Sequence, residues 1–321
     1  MRILFFCCLI TQLSYAQPGF NKGYEFGYYF NYFNDVVVQH DTIIAYGLAQ
    51  DTAWPYLQGL LVARFDTLGN WLDKILILDT TNNIYAIDKH WGKIIPTADG
   101  GCAMTAAALY GRDGVFIKLN RKLELEFAQR YKDTINLGEF LVSPIETPEG
   151  YLLYGYYQHE GNAKHDAMIR KVDKQGNLIW RKNFGAYDQN EGFYRAIPLG
   201  DSLLLLSGRK AFNLLLPETA LPWISAFNYQ GELQWEWSSN TNAPFNGIYL
   251  ARFYPQVDNS WLVYGDKYLG IDPEYGWHVF KSYWVKLNKN FQFQWAKPIG
   301  PNNGTGNFFR KEIQVSNGDI I

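Results

Sequence analysis

Short apolar runs alternate along the chain with polar segments rich in Gly, Asn, Asp and Pro, and no stretch sustains the 3.6-residue apolar period of a helix. The pattern predicts strands joined by tight turns. One phrase displays the turn chemistry: Lys171-Val172-Asp173-Lys174-Gln175-Gly176-Asn177-Leu178-Ile179-Trp180. A strand ends at Asp173, whose side chain can accept from its own backbone two residues on. Gly176 tolerates the positive φ that closes the turn, and the next strand carries Trp180. The phrase returns as Phe65-Asp66-Thr67-Leu68-Gly69 and as Leu119-Asn120-Arg121-Lys122-Leu123 with Phe127. It recurs as Phe227-Asn228-Tyr229-Gln230-Gly231 with Trp235, and as Leu287-Asn288-Lys289-Asn290-Phe291 with Trp295. From Gly69 through Leu123, Gly176 and Gly231 to Phe291 the steps are 54, 53, 55 and 60 residues.

A second phrase keeps the same period. Asp41-Thr42-Ile43-Ile44-Ala45-Tyr46-Gly47 parallels 150–155, 201–208 and Ser260-Trp261-Leu262-Val263-Tyr264-Gly265, and loosely 101–106. Two phrases in step make a tandem array. Each unit holds four strand-like runs, A to D; in the third they are 140–146, 151–156, 167–172 and 178–184. Four short antiparallel strands per repeat, without crossover helices, describe a propeller blade, whereas a solenoid would repeat at about half this period. The predicted fold is all-β: a β-propeller of four-stranded antiparallel blades, with five complete repeats at 23–80, 81–133, 134–187, 188–240 and 241–300. An incomplete sixth opens within 308–321, so the chain is expected to be part of a longer protein. Trp180, Trp235 and Trp295 are expected to wedge between blades. Arg64, Lys118, Lys171 and Lys286, each two residues before a turn Asp or Asn, are expected in a solvated or snorkelling position.

Composition sharpens the fold and narrows the partners. The 321 residues include 23 Tyr, 21 Phe and 11 Trp, strand formers with ample area for a core. With 29 Lys+Arg against 31 Asp+Glu the net charge is −2, which gives no electrostatic reason for a nucleic-acid partner. Arg2, the apolar run 3–10 and the small residues of Ser14-Tyr15-Ala16 read as a signal peptide over 1–16, leaving a mature propeller domain at 17–321. The predicted location is secreted or cell-surface. No later run is long enough to predict a transmembrane segment. Cys7 and Cys8 leave with the signal, so Cys102 remains alone in a small-residue strand, expected to be a buried, inert thiol.

Asp173-x-x-Gly176-x-x-x-Trp180 resembles the signature of quinoprotein-like (PQQ-like) propeller repeats. With Asp99-Gly100-Gly101-Cys102-Ala103-Met104 and Glu149-Gly150-Tyr151-Leu152-Leu153-Tyr154-Gly155, the phrase is also similar to secreted propeller repeats of bacteria that export by type IX secretion. Signal peptides of that group often end in Ala before Gln, as Ala16-Gln17 does. The resemblance spans 23–321 and implies architecture and export rather than an activity. Quinone-using enzymes of similar build often carry adjacent cysteines, and here the adjacent pair lies in the signal.

Candidate chemistry is sparse. His159 and His165 flank Glu160 in one loop, without spacing that fixes a zinc geometry, and there is no Gly-x-Ser-x-Gly elbow. The glycine-rich stretch 300–306 precedes no helix. No metal, cofactor or catalytic residue is therefore predicted. The B–C loops combine rings with acids, and the ligand-binding candidates are Trp54, Tyr56, Tyr157, Tyr275 and Trp277, with acids such as Asp51, Asp113 and Asp266. Such rings stack on sugar or peptide faces, although so aromatic a chain also scatters rings into loops without a ligand. The expected function is a non-enzymatic binding or scaffold module with a glycan, protein or peptide partner. The alternative is a glycan-active or quinone-dependent enzyme with a site near the axis, and a third reading is a spacer between other domains. An enzyme would need ionisable groups converging from strand A; Asp88, Glu139, Glu146, Arg195, Arg252 and Glu312 read as occupying no common slot.

Overall fold

The computed structural model describes residues 22–299 except 54–55, 80–84, 88–91, 109–112, 132–137, 159–163, 186–188, 201, 211–218, 240–247 and 272–277. The described residues contain no α-helix and form five antiparallel sheets. The first holds β1 (Phe30–Gln39), β2 (Thr42–Gln50), β3 (Gln58–Asp66) and β4 (Trp71–Ile77) in sequence order. In the second, the innermost strand is split into β5 (Tyr85–Ala86) and β6 (Ile94–Pro96), both pairing with β7 (Cys102–Ala108), followed by β8 (Asp113–Leu119) and β9 (Leu125–Tyr131). The third contains β10 (Gly138–Thr147), β11 (Gly150–Gln158), β12 (His165–Asp173) and β13 (Leu178–Phe184). The fourth contains β14 (Gly192–Leu199), β15 (Leu203–Lys210), β16 (Leu221–Asn228) and β17 (Leu233–Ser238). The fifth contains β18 (Ile248–Pro255), β19 (Trp261–Ile271), β20 (His278–Leu287) and β21 (Phe293–Pro298).

The sheets fan about an axis. First strands of successive sheets pack in series, β1 on β6, β6 on β10, β10 on β14 and β14 on β18, while fourth strands do not pack on one another to any comparable extent. Inner strands converge and outer ones splay, which is the propeller geometry. Burial follows: β7, β8 and β12 are buried almost throughout, whereas β17 and β21 are largely exposed.

Both sequence phrases have physical causes. Asp66, Asn120, Asp173, Asn228 and Asn288 each accept, through Oδ1, from backbone amides two and four residues ahead. Gly69, Leu123, Gly176, Gly231 and Phe291 close those turns at φ between 59 and 80°. The glycine of the Tyr-Gly phrase faces a bulge in strand A, where the register shifts between Phe33 and Asp35, Leu141 and Ser143, Phe193 and Arg195, and Tyr249 and Arg252. A Cβ at Gly47, Gly155 or Gly208 would collide with the carbonyl of Tyr32, Phe140 or Gly192.

Rings fill the space between neighbouring sheets. Trp180 lies against Gly231 of the fourth sheet, as Phe127 lies against Gly176 of the third. Trp235 meets Phe291 of the fifth at 5.9 Å between centroids. Trp295 is on the exposed β21; the expected sixth unit at 308–321 and the segment 1–16 read as a signal peptide lie outside the described residues. In the first sheet Asp73 takes the ring's position and pairs with Arg64, which also donates to the Arg121 carbonyl at 2.6 Å.

Candidate functional site

The basic residues before the turns are ion-paired rather than freely solvated, while Arg64 and Lys286 keep part of the side chain exposed, as a snorkelling position would. Lys118 is buried and pairs with Asp99 at 2.7 Å and Glu126 at 3.1 Å. Lys171, also buried, reaches Glu149 at 2.5 Å, and Lys286 reaches Asp258 at 3.3 Å. Each lysine staples strand C to the A–B turn of its own sheet. Burial alone would raise the Asp99 pKa, but hydrogen bonds from Lys118, Thr97 and Gly101 outweigh it and bring it down to about 2. Gln39, His40, Arg64, Asp99, Cys102 and Arg121 border a cleft of about 290 Å³ between the first two sheets on this face. The buried Cys102 thiol is pushed up to about 12 by desolvation, so it is neither a thiolate nor a nucleophile at neutral pH.

The opposite face carries the loops expected to bind. Of the five ring candidates, Trp54, Tyr275 and Trp277 lie outside the described residues. Tyr157 is buried, and its hydroxyl donates to Asp166 at 3.0 Å. It is therefore part of the third sheet rather than of a ligand platform, because β11 runs on to Gln158 and sets Tyr157 opposite Asp166. Two of the loop acids are also engaged within sheets: Asp113 accepts from Arg130 at 2.6 Å, and Asp266 accepts from Ser282 at 2.6 Å.

Tyr56 behaves differently. It is 49% exposed just before β3, and Tyr29 (75%) and Tyr32 (41%), two rings that sequence reasoning missed, are exposed on the neighbouring first strand and the segment leading into it. The Tyr29 amide donates to the Gln50 carbonyl at 3.0 Å, and the Gln50 side chain donates to the Tyr56 carbonyl at 2.8 Å, which ties the loop to the start of β1. The Tyr32 ring stacks on Phe30 at 6.5 Å and 13°. Asp51 stands at the same rim; burial first, and then its charge, raises the neighbouring Tyr28 hydroxyl. The signal was in the run Tyr28-Tyr29-Phe30-Asn31-Tyr32-Phe33, whose alternation places its rings on both faces of strand A. On the fifth sheet this face exposes Leu269 and Ile271.

Near the axis, the residue that follows each strand-A bulge forms a common slot, contrary to the sequence reading. It is filled by Asp35, Ser143, Arg195 and Arg252, paired respectively with Tyr46, Tyr154, Ser207 and Tyr264. Lys93 holds the equivalent place in the second sheet, its amide donating to Thr105 Oγ1 at 3.2 Å. Asp35 accepts from the Ile94 amide at 3.1 Å, and Tyr46 donates to the Thr105 carbonyl at 2.8 Å. Burial holds the Tyr46 hydroxyl well above its ordinary pKa, with the Asp35 charge adding to the effect. Desolvation takes Tyr154 up to about 12, opposed by Arg195, by a Ser143 hydrogen bond and by Arg252. Among the described residues no group of three His, Cys, Asp or Glu is placed to hold a metal, and no helix is long and apolar enough to cross a membrane.

No protein family matches this sequence, and no curated protein matches it. Several solved propeller structures are similar in fold at low identity. A Bacteroides caccae protein of unknown function is 11% identical, with 84% of this chain and 82% of that one covered, at a TM-score of 0.48. The β-propeller domain of the Trilobed protease from Pyrococcus furiosus is 11% identical over 85% of this chain and 71% of that one, at 0.44. A levansucrase variant of B. megaterium is 9% identical over 83% and 82%, at 0.39. The chain's own five sheets, fanned from converging inner strands, make it an all-β propeller of four-stranded blades.

Proposed function

We propose that the chain is an exported propeller acting as a non-enzymatic binding or scaffold module through its loop-rich face, with the rim of the first sheet as its anchor. The observation that carries this reading is the exposure of Tyr29 and Tyr56 at one rim, where Gln50 ties their backbones together. Tyrosine offers a broad apolar face at low entropic cost with a polar tip, so such exposed rings suit stacking on a sugar ring or an extended peptide. Asp51 at the rim supplies an acceptor for hydroxyl or amide protons. Export rests on Arg2, the apolar run 3–10 and the Ser14-Tyr15-Ala16 cleavage pattern. The PQQ-like and type IX resemblances are taken here as marks of blade architecture and route of export.

Glycan and peptide arrays probed with the secreted protein test the reading. Binding that falls at least about tenfold in a Tyr29→Ala, Tyr56→Ala double variant is expected, the loss of two stacked rings being worth about 1–3 kcal/mol. Binding unaffected by that variant, or no binding to any glycan or peptide, would remove the rim as the site.

A further inference from the structure

Among the described residues, two arginines sit over a tyrosine ring of the adjoining sheet. Arg170 on β12 covers Tyr131 of the second sheet at 4.2 Å, and its Nη2 donates to both carboxylate oxygens of Glu139, at 2.6 and 2.7 Å. Arg195 on β14 covers Tyr254 of the fifth sheet at 3.9 Å. Among the described residues no carboxylate pairs with it; its Nε, like that of Arg170, is sealed from solvent without a hydrogen bond, so the two arginines differ in the carboxylate that only Arg170 has at its outer nitrogens. Its outer nitrogens carry no counter-charge, and a guanidinium in that state can take an anionic partner.

The surroundings favour an anion. Arg252 occupies the Arg195 slot on the next sheet, and Ser143 occupies it on the previous one. Burial raises the Tyr154 hydroxyl, and the charges of Arg195 and Arg252 act against that rise. The same slot on the first sheet holds Asp35, which is satisfied by the Ile94 amide.

We propose that Arg195, with Arg252 beside it, binds an oxyanion group, carboxylate or phosphate, of a ligand held near the axis among the third, fourth and fifth sheets. The ligand does for Arg195 what Glu139 does for Arg170. A planar guanidinium held over a ring can present its outer N–H groups as a fork matched to two anionic oxygens. The site uses residues other than the tyrosine rim, so either can fail without the other.

Calorimetric titration of the purified chain with sodium glucuronate, inorganic phosphate and glucose tests it. Wild-type protein is expected to bind an anion, more weakly as salt rises, and to give no heat with glucose. Affinity should fall at least about tenfold in Arg195→Gln, with part of it retained in Arg195→Lys, which keeps the charge and loses the fork. Arg252→Gln should also weaken binding, and it serves as the second variant should the first not fold. Tighter glucuronate binding assigns the oxyanion to an acidic sugar, and binding of phosphate alone assigns it to a phosphoryl group. Neither anion bound by the wild type, or equal affinity in wild type and Arg195→Gln, overturns the proposal.

Discussion

The interface between the second and third sheets and the interface between the fourth and fifth use the same device, an arginine laid on a tyrosine, and finish it differently. At the first, Glu139 neutralises Arg170 within the fold, and both side chains are buried. At the second, Arg195 rests on Tyr254 with no acid of the described residues beside it. An interface that satisfies its own charges is structural. One that leaves a guanidinium without a carboxylate near the axis is where the proposed oxyanion would bind.

The largest effect should come from breaking the self-sufficient side. Glu139→Gln leaves Arg170 buried without a counter-charge, and urea unfolding should show a loss of about 3–5 kcal/mol. Next comes Asp35→Ala, in the slot that Arg195 fills on the fourth sheet. It orphans the buried Ile94 amide, and the same measurement should show a loss of about 1–3 kcal/mol. The smallest effect concerns the staple of Lys118 and Asp99, another charge satisfied inside the fold. Because the folded-state pKa of Asp99 is depressed to about 2, its contribution is present above its unfolded pKa near 3.9 and fades as pH falls from there through about 2. Asp99 is half exposed, so solvent screens much of that contribution. A Lys118→Met variant should therefore lose stability less steeply than wild type between about pH 4 and 2, read as the urea midpoint against pH.

Local chemistry made much of the fold legible. The Asp or Asn that opens each C–D turn and the residue three further on with positive φ were readable from spacing, and so were the Tyr-Gly phrases, although the bulge that requires their glycine was not. The site was harder to read. Tyr157 looked like a loop residue because the B–C ladder continues past the point where the apolar run ends, and register, not residue type, decides its burial. The shared slot of Arg195 and Arg252 was hidden by the bulges. The shift spans Phe193 to Arg195 in one sheet and Tyr249 to Arg252 in another, so counting residues along strand A slips out of phase. The lysine staples were obscured for a related reason, since their acids lie in A–B turns about 20 or more residues away and only the folded sheet brings them together.

The most direct measurement sets Arg170→Gln beside Arg195→Gln in urea, without ligand. Arg170→Gln should cost about 3–5 kcal/mol because it strands the buried Glu139, and Arg195→Gln should cost under about 1 kcal/mol because only a ring contact is lost. Equal and large losses would contradict the distinction, showing that both guanidiniums are structural and that neither is kept for a ligand.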